Sequence, residues 1–308
     1  MSRYILKRIV AGLISVFLLV TITFFLMHSI PGGPFDPAEE RKLTPEVVEQ
    51  INKAYGLNDP VYIQYFHYLG NVLRGNLGVS YKMQDTSVNS IIARGFPVSA
   101  RVGAIAILAA LLVGLPLGIA AALRRGRATD RAATVLATIG IAVPSFIMMT
   151  LLMFLFVYIL HLLPAYGLNS PQSYILPVVG LSLSPMSYIA RLIRSSMLDS
   201  LGQDYIRTAR AKGVSEFSVV AKHAMRNAVI PVVTYLGPLV AELLTGSFVA
   251  EHLFSIPGIG RDYVNSISSR DYSLILGLTM FLGIFVVIAN LVVDLLYVVI
   301  DPRVKFEK

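Results

Sequence analysis

The chain has 308 residues, of which 55% are apolar and 14% charged, with a mean hydropathy of +0.69. Soluble domains carry about a quarter charged residues, so a water-soluble fold is excluded; so is a disordered chain, which needs low hydrophobicity and high charge. Cysteine is absent, which removes disulfide scaffolds, thiolate nucleophiles and Cys-ligated metal centres.

Crossing a hydrocarbon core takes about 20 apolar residues. Six stretches meet that length, at about 9–28, 102–123, 133–161, 174–192, 228–249 and 273–300. In lipid each must satisfy its own backbone hydrogen bonds, so all six are expected to be helices. The fourth is interrupted by Pro177 and Pro185 and carries Arg191 at its end. The first could instead be a signal peptide with Arg3, Lys7 and Arg8 as its basic region. Its apolar run is long for that role, however, and His28-Ser29-Ile30-Pro31 offers no Ala-x-Ala site.

The net charge of +8 suits either nucleic acid or a membrane, and its distribution decides. Seventeen Lys/Arg against six acids fall in the N-terminal tail, the 2–3 loop, the 4–5 loop and the C-terminal tail. The opposite side holds a 1–2 loop with six Lys/Arg and seven acids, a 3–4 loop with none, and a 5–6 loop with two and three. The positive-inside rule therefore predicts that both termini are cytoplasmic, and no nucleic-acid partner is expected.

The 1–2 loop is too long for a hairpin and reads as folded. Thr44-Pro45-Glu46 is a helix start with Gly56 as its stop, and Asp59-Pro60 starts a second helix. There Tyr62, Tyr65, Phe66, Leu69 and Leu73 recur at helical spacing and predict one apolar stripe. That stripe packs on the outer ends of the spans or docks an external partner.

No pattern supports catalysis. The five histidines are scattered, no HExxH or Gly-x-Ser-x-Gly occurs, and there is no phosphate-cradling G-x-x-x-x-G-K-[ST]. Glu242 in span 5 and Asp294 in span 6 are carboxylates in apolar surroundings, and intramembrane carboxylates are functional candidates by default. Asp294 can also pair with a cation such as Arg303, and Glu242 can pair across helices or line a hydrated pathway. Prolines and glycines spread through the spans suit a bundle that encloses a cavity.

The 4–5 loop is the most informative segment. Asp204–Gly213 (Asp-Tyr-Ile-Arg-Thr-Ala-Arg-Ala-Lys-Gly) predicts a short basic helix, with Gly213 placed for a left-handed turn after it. The following piece, up to Asn227, reads as amphipathic, with Phe217, Val220, Ala221 and Ala224 on one face. Such an element can be gripped by a cytoplasmic protein or lie on anionic lipid.

Asp204–Gly213 resembles the coupling-helix motif of ABC importer permeases in its peptide-transporter form. Arg207-Thr208-Ala209 stand where the general motif has Glu-Ala-Ala, and its closing proline is displaced to Pro231. The resemblance runs on through Ile30–Phe35, Tyr55–Pro60, Gly95–Ala100, Glu251–Gly260, Arg270–Ser273 and Leu296–Arg303. It is nearest to the B-type permeases of oligopeptide importers; dipeptide, glutathione and nickel permeases share most of these motifs.

The resemblance implies an all-α membrane protein of type I ABC importer permease fold, six transmembrane helices and a folded external loop, in the bacterial inner membrane. Its layout is a tail 1–8, a span 9–28, an external loop 29–99, a transmembrane domain 100–300 containing a coupling segment 195–227, and a tail 301–308. Implied partners are a second, C-type permease, two cytoplasmic ATP-binding subunits, an extracytoplasmic peptide-binding protein, the peptide and membrane lipid. ATP and Mg would reside in the ATPases, with no cofactor on this chain. Asp204, Arg207, Thr208, Ala209, Arg210, Ala211, Lys212, Gly213 and Phe217 are the expected ATPase contact. Glu242 is the expected pathway residue, and Glu251, Phe254, Pro257, Gly258 and Gly260 an external gate or binding-protein side. An ion-coupled secondary transporter is the rival class, but Glu242 and Asp294 have no counterparts in the first half of the chain.

Overall fold

The computed structural model describes residues 2–29, 49, 56–83 and 86–300, excluding the side chains of 2–5 and 293–300. The expected helix start at Thr44–Glu46, the motif at Ile30–Phe35, the Asp294 side chain and the tail from Asp301 lie outside these residues. In order the helices are α1 (Ser2–Ser29), α2 (Val61–Leu73), α3 (Val88–Leu123), α4 (Ala128–Ala142), α5 (Ser145–Met153), α6 (Ile175–Leu201) and α7 (Asp204–Ala211). Then come α8 (Glu216–Ser218), α9 (Met225–Ala228), α10 (Ile230–Leu244), α11 (Phe248–Leu253), α12 (Ile259–Ser269) and α13 (Tyr272–Ile300). Among the described residues no strand forms, only an isolated bridge between Val79 and Ser87.

Five stretches are long and apolar enough to cross a membrane: Leu6–Ser29, Val88–Leu123, Pro171–Leu201, Ile230–Leu253 and Tyr272–Val292. The third span, expected at about 133–161, is a pair, Ala128–Ala142 and Ser145–Ile159, bent by 103°. Pro144 causes the break. Its ring pushes Val143 out of the helical region, to φ −86 and ψ 123, and it has no N–H to continue the ladder. The two prolines of the fourth span do not break it. Pro177 falls in the first turn of α6, where no N–H is needed, and Pro185 is carried inside the helix. The second span begins earlier than expected, at Val88.

The chain divides into two compact units. The first comprises Ser99–Ile256 and the residues from Ile288 onward. Its organising element is α6, against which α4, α5, α9 and α10 pack. The helices come close because side chains are missing where they cross. A Cβ on Gly118 would lie 2.2 Å from the Ala190 carbonyl oxygen, and one on Gly114 2.7 Å from that of Met186. On the same helix Ile189, Ile193 and Met197 are fully buried. One end of α6 is tied down by Arg194, whose Nε and Nη2 donate to the two oxygens of Asp130 at 2.5 and 2.9 Å. Gly126 N–H also donates to Asp130 at 2.8 Å, so one carboxylate holds the α3–α4 loop, α4 and α6 together.

The second unit comprises Ser2–Val98 and Pro257–Val287. Phe24, Met27, Tyr65, Tyr272, Ile275 and Leu276 form one buried cluster, and Val88, Ile91, Ile92, Ile259, Leu274 and Leu278 another. Pro60 precedes α2 as expected, but the predicted stripe on that helix divides. Tyr65 is buried and Leu69 packs beside it, whereas Tyr62, Phe66 and Leu73 are exposed. The inward face is set by Tyr65, Tyr68 and Leu69, a narrower arc than the five apolar positions suggested. Asp271 fixes the turn before α3: it accepts from the Ser80 hydroxyl and, at 3.1 Å, from Tyr81 N–H, while also accepting from Leu274 N–H at the start of α13.

Gly118→Val tests the packing at α6. The added groups meet backbone that cannot yield, an overpacking cost of about 1–3 kcal/mol. Thermal unfolding of the detergent-solubilised protein should move to lower temperature, while Gly70→Val, with open space around it, should shift it far less. Equal effects would show that the crossing is not tight.

Candidate functional site

The basic segment begins two residues after α6. Gly202 ends that helix, Gln203 is extended, and Asp204 opens α7. Ile206 and Ala209, three apart, are buried, so one side of α7 is anchored on the chain. Arg207, Thr208, Arg210, Ala211 and Lys212 are exposed on the other side. Asp204 is exposed too, 3.4 Å from Arg207 Nη1. Ala209 therefore points inward, and its part is to let the helix lie close rather than to offer a contact surface.

The turn that follows is held by its backbone. Gly213 N–H donates to Arg210 C=O at 2.9 Å, and Val214 N–H to Ala209 C=O at 3.2 Å. This is a Schellman end, with Gly213 at φ +77 as its left-handed residue. Across the turn, Arg210 grips Glu216 with two bonds, at 2.7 and 3.2 Å. The guanidinium holds the Glu216 carboxyl below its ordinary range. Arg210 is thus occupied within the segment, Arg207 is held more loosely by Asp204 at 3.4 Å, and both Arg207 and Lys212 face outward. Asn227 Nδ2 donates to the Tyr205 hydroxyl at 3.0 Å and braces α9 against α7.

The expected apolar face of the next piece is corrected. Val219, Ala224 and Ala228 are buried, while Phe217 is 83% exposed and Ala221 is exposed. Val219–Ala224 winds as a π-helix. Its wider turn brings residues five apart onto one face and rotates the face away from the α-helical expectation.

Glu242 lies on α10 in an exposed stripe with Thr234 and Pro238, opposite the buried Val232, Leu239 and Leu243. The five residues expected at an external gate do not form an accessible surface. Glu251 and Phe254 are 3% and 1% exposed, Gly258 and Gly260 are buried, and Pro257 alone is exposed. Glu251 instead accepts from the Ser99 hydroxyl at 2.7 Å, beneath the turn at Gly246. A Cβ on Gly246 would sit 2.4 Å from Glu251 Oε1, so the turn has no room for a side chain. The span needs that turn because it breaks between α10 and α11, where Gly246 adopts φ +90.

Two features escaped the sequence. Asp130 and Arg194 are 64 positions apart and nothing local pairs them. Tyr235 could have been found, since it precedes Glu242 by seven residues and so shares its face.

The chain matches a family model described as the binding-protein-dependent transport system inner membrane component over residues 114–306, and the N-terminal component of the same system over 1–103. It is 47% identical to a dipeptide transport system permease protein of Bacillus subtilis, covering 100% of this chain and 99% of that one. It is 42% identical to an oligopeptide transport system permease protein of Escherichia coli, covering 99% and 100%. Among solved structures it resembles the MetNI methionine ABC transporter in an inward-facing conformation, at 17% identity and a TM-score of 0.55, over 68% of this chain and 96% of that one. That likeness gives the fold, an all-α ABC importer permease. With family models spanning nearly its whole length, the chain belongs to the binding-protein-dependent transport system inner membrane components.

Proposed function

We propose that the chain is the B-type permease subunit of an ATP-driven importer that moves oligopeptides across the bacterial inner membrane. The observation that carries this reading is α7, a short helix anchored through Ile206 and Ala209 with Arg207 and Lys212 turned outward. It follows directly on a membrane-spanning helix. Full-length likeness to permeases named for peptides supports the cargo. Dipeptides are the second reading, since relatives named for both cargoes match end to end.

The chain has no phosphate-binding loop of its own, so ATP and Mg belong to two cytoplasmic ATPases. These grip Arg207, Thr208, Ala211, Lys212 and the exposed Phe217 on the cytoplasmic side, where both termini also lie. An extracytoplasmic binding protein delivers the peptide, and a second, C-type permease supplies the facing wall of the pathway. Closing of the ATPases moves α7 and tips the bundle between discrete packed arrangements. Glu242, on the exposed stripe of α10, faces that pathway.

Gly213→Val tests the handle. Nothing crowds the position, so the cost is the left-handed backbone alone, which a β-branched residue resists. The complex should still assemble and hydrolyse ATP, with uptake reduced about 5- to 150-fold as coupling is lost. Unimpaired uptake would reject the assignment. Orientation has its own check, because the chain is cysteine-free. Lys212→Cys should react with a membrane-impermeant maleimide in inverted vesicles and not in intact cells; labelling in cells would reverse the topology.

A further inference from the structure

Tyr235 and Glu242 are two helical turns apart on α10, about 10 Å along its axis. Tyr188, midway along α6 and 38% exposed, joins them. Its ring lies 4.4 Å from that of Tyr235, tilted by 44°. Seven residues apart, Tyr235 and Glu242 share one face of α10, on which Tyr235 is half-buried and Glu242 exposed. Between them, Pro238 has no N–H to give the Thr234 carbonyl, and the Thr234 hydroxyl already donates to Ile230 C=O at 3.1 Å. Among the described residues Glu242 forms no ion pair.

Facing lipid, this arrangement would be costly. An intramembrane carboxylate needs a partner or water, and so does a carbonyl freed by proline. Two rings, a carboxylate and a spare carbonyl offer negative potential and acceptors throughout. Their complement is a compact cation rich in N–H donors, an ammonium, which donates hydrogen bonds to oxygens and sits against aromatic faces.

We propose that Tyr188, Tyr235 and Glu242 form a subsite for a protonated amino group of the transiting peptide, its α-amino terminus or a lysine side chain. This rests on the peptide-permease reading and deepens it. A peptide carboxylate would be repelled from the same place, so the subsite orients cargo as well as holding it.

The test uses the complete transporter in proteoliposomes with its binding protein and ATP, and the peptides Ala-Ala-Ala and Ala-Lys-Ala. Glu242→Gln keeps the shape of the side chain and removes its charge, whereas Glu242→Asp keeps the charge. Glu242→Gln should lower uptake about tenfold. A fall for both peptides assigns the α-amino terminus, and a fall for Ala-Lys-Ala alone assigns the lysine. Glu242→Asp should stay within about threefold of wild type. The subsite is overturned if Glu242→Gln transports both peptides at wild-type rates, or if Asp and Gln lose uptake equally. It is also overturned if Glu242→Gln releases the second permease on purification, since the stripe is then an interface between subunits. Failure of the wild-type transporter to take up either peptide would strike the peptide-permease reading instead.

Discussion

The constraint on which the larger unit depends is how closely other helices can approach α6. Between membrane helices there is little hydrophobic driving force, so association relies on surfaces that fit. Gly114 and Gly118 supply that fit by letting α3 touch the α6 backbone. The Asp130–Arg194 pair then fixes one end in angle, because a bidentate guanidinium–carboxylate contact has a preferred plane.

A 27-residue helix is a rod of about 40 Å. This one has Tyr188 near its middle and leads through Gly202 and Gln203 into α7. The proposed cargo contact and the proposed motor contact are therefore joined by one continuous element. The handle itself is small. Its inner side is two buried residues, its end is a glycine turn, and one arginine is tied back to Glu216. Anchored on one side and closed by a hydrogen-bonded turn, such an element can move as a unit.

The sequence showed best what depends on local chemistry. Apolar run length located the five long apolar helices and the bent pair between Ala128 and Ile159, and Asp204–Gly213 predicted both the short helix and its left-handed turn. It was less informative wherever a tertiary or backbone effect intervened. Pro144 bends its span sharply, whereas Pro185 is absorbed, and no local pattern separates the two. The π-helical Val219–Ala224 rotates the buried face, so a count at 3.6 residues per turn placed Ala221 inside when it is outside. The resemblance puts Glu251 and Phe254 at an external gate or binding-protein side, and both are buried. Burial came instead from a turn at Gly246 that folds Glu251 onto Ser99.

The central claim is that α7 is where nucleotide-driven motion enters this chain. The most direct measurement places a single cysteine at Lys212 in the assembled, reconstituted transporter and follows a short bifunctional cross-link to the ATP-binding subunits. Cross-linking in the nucleotide-free state, with a yield that changes when a non-hydrolysable ATP analogue is added, is the predicted result. No cross-link to either ATP-binding subunit in any nucleotide state, from a complex that still transports, would contradict it.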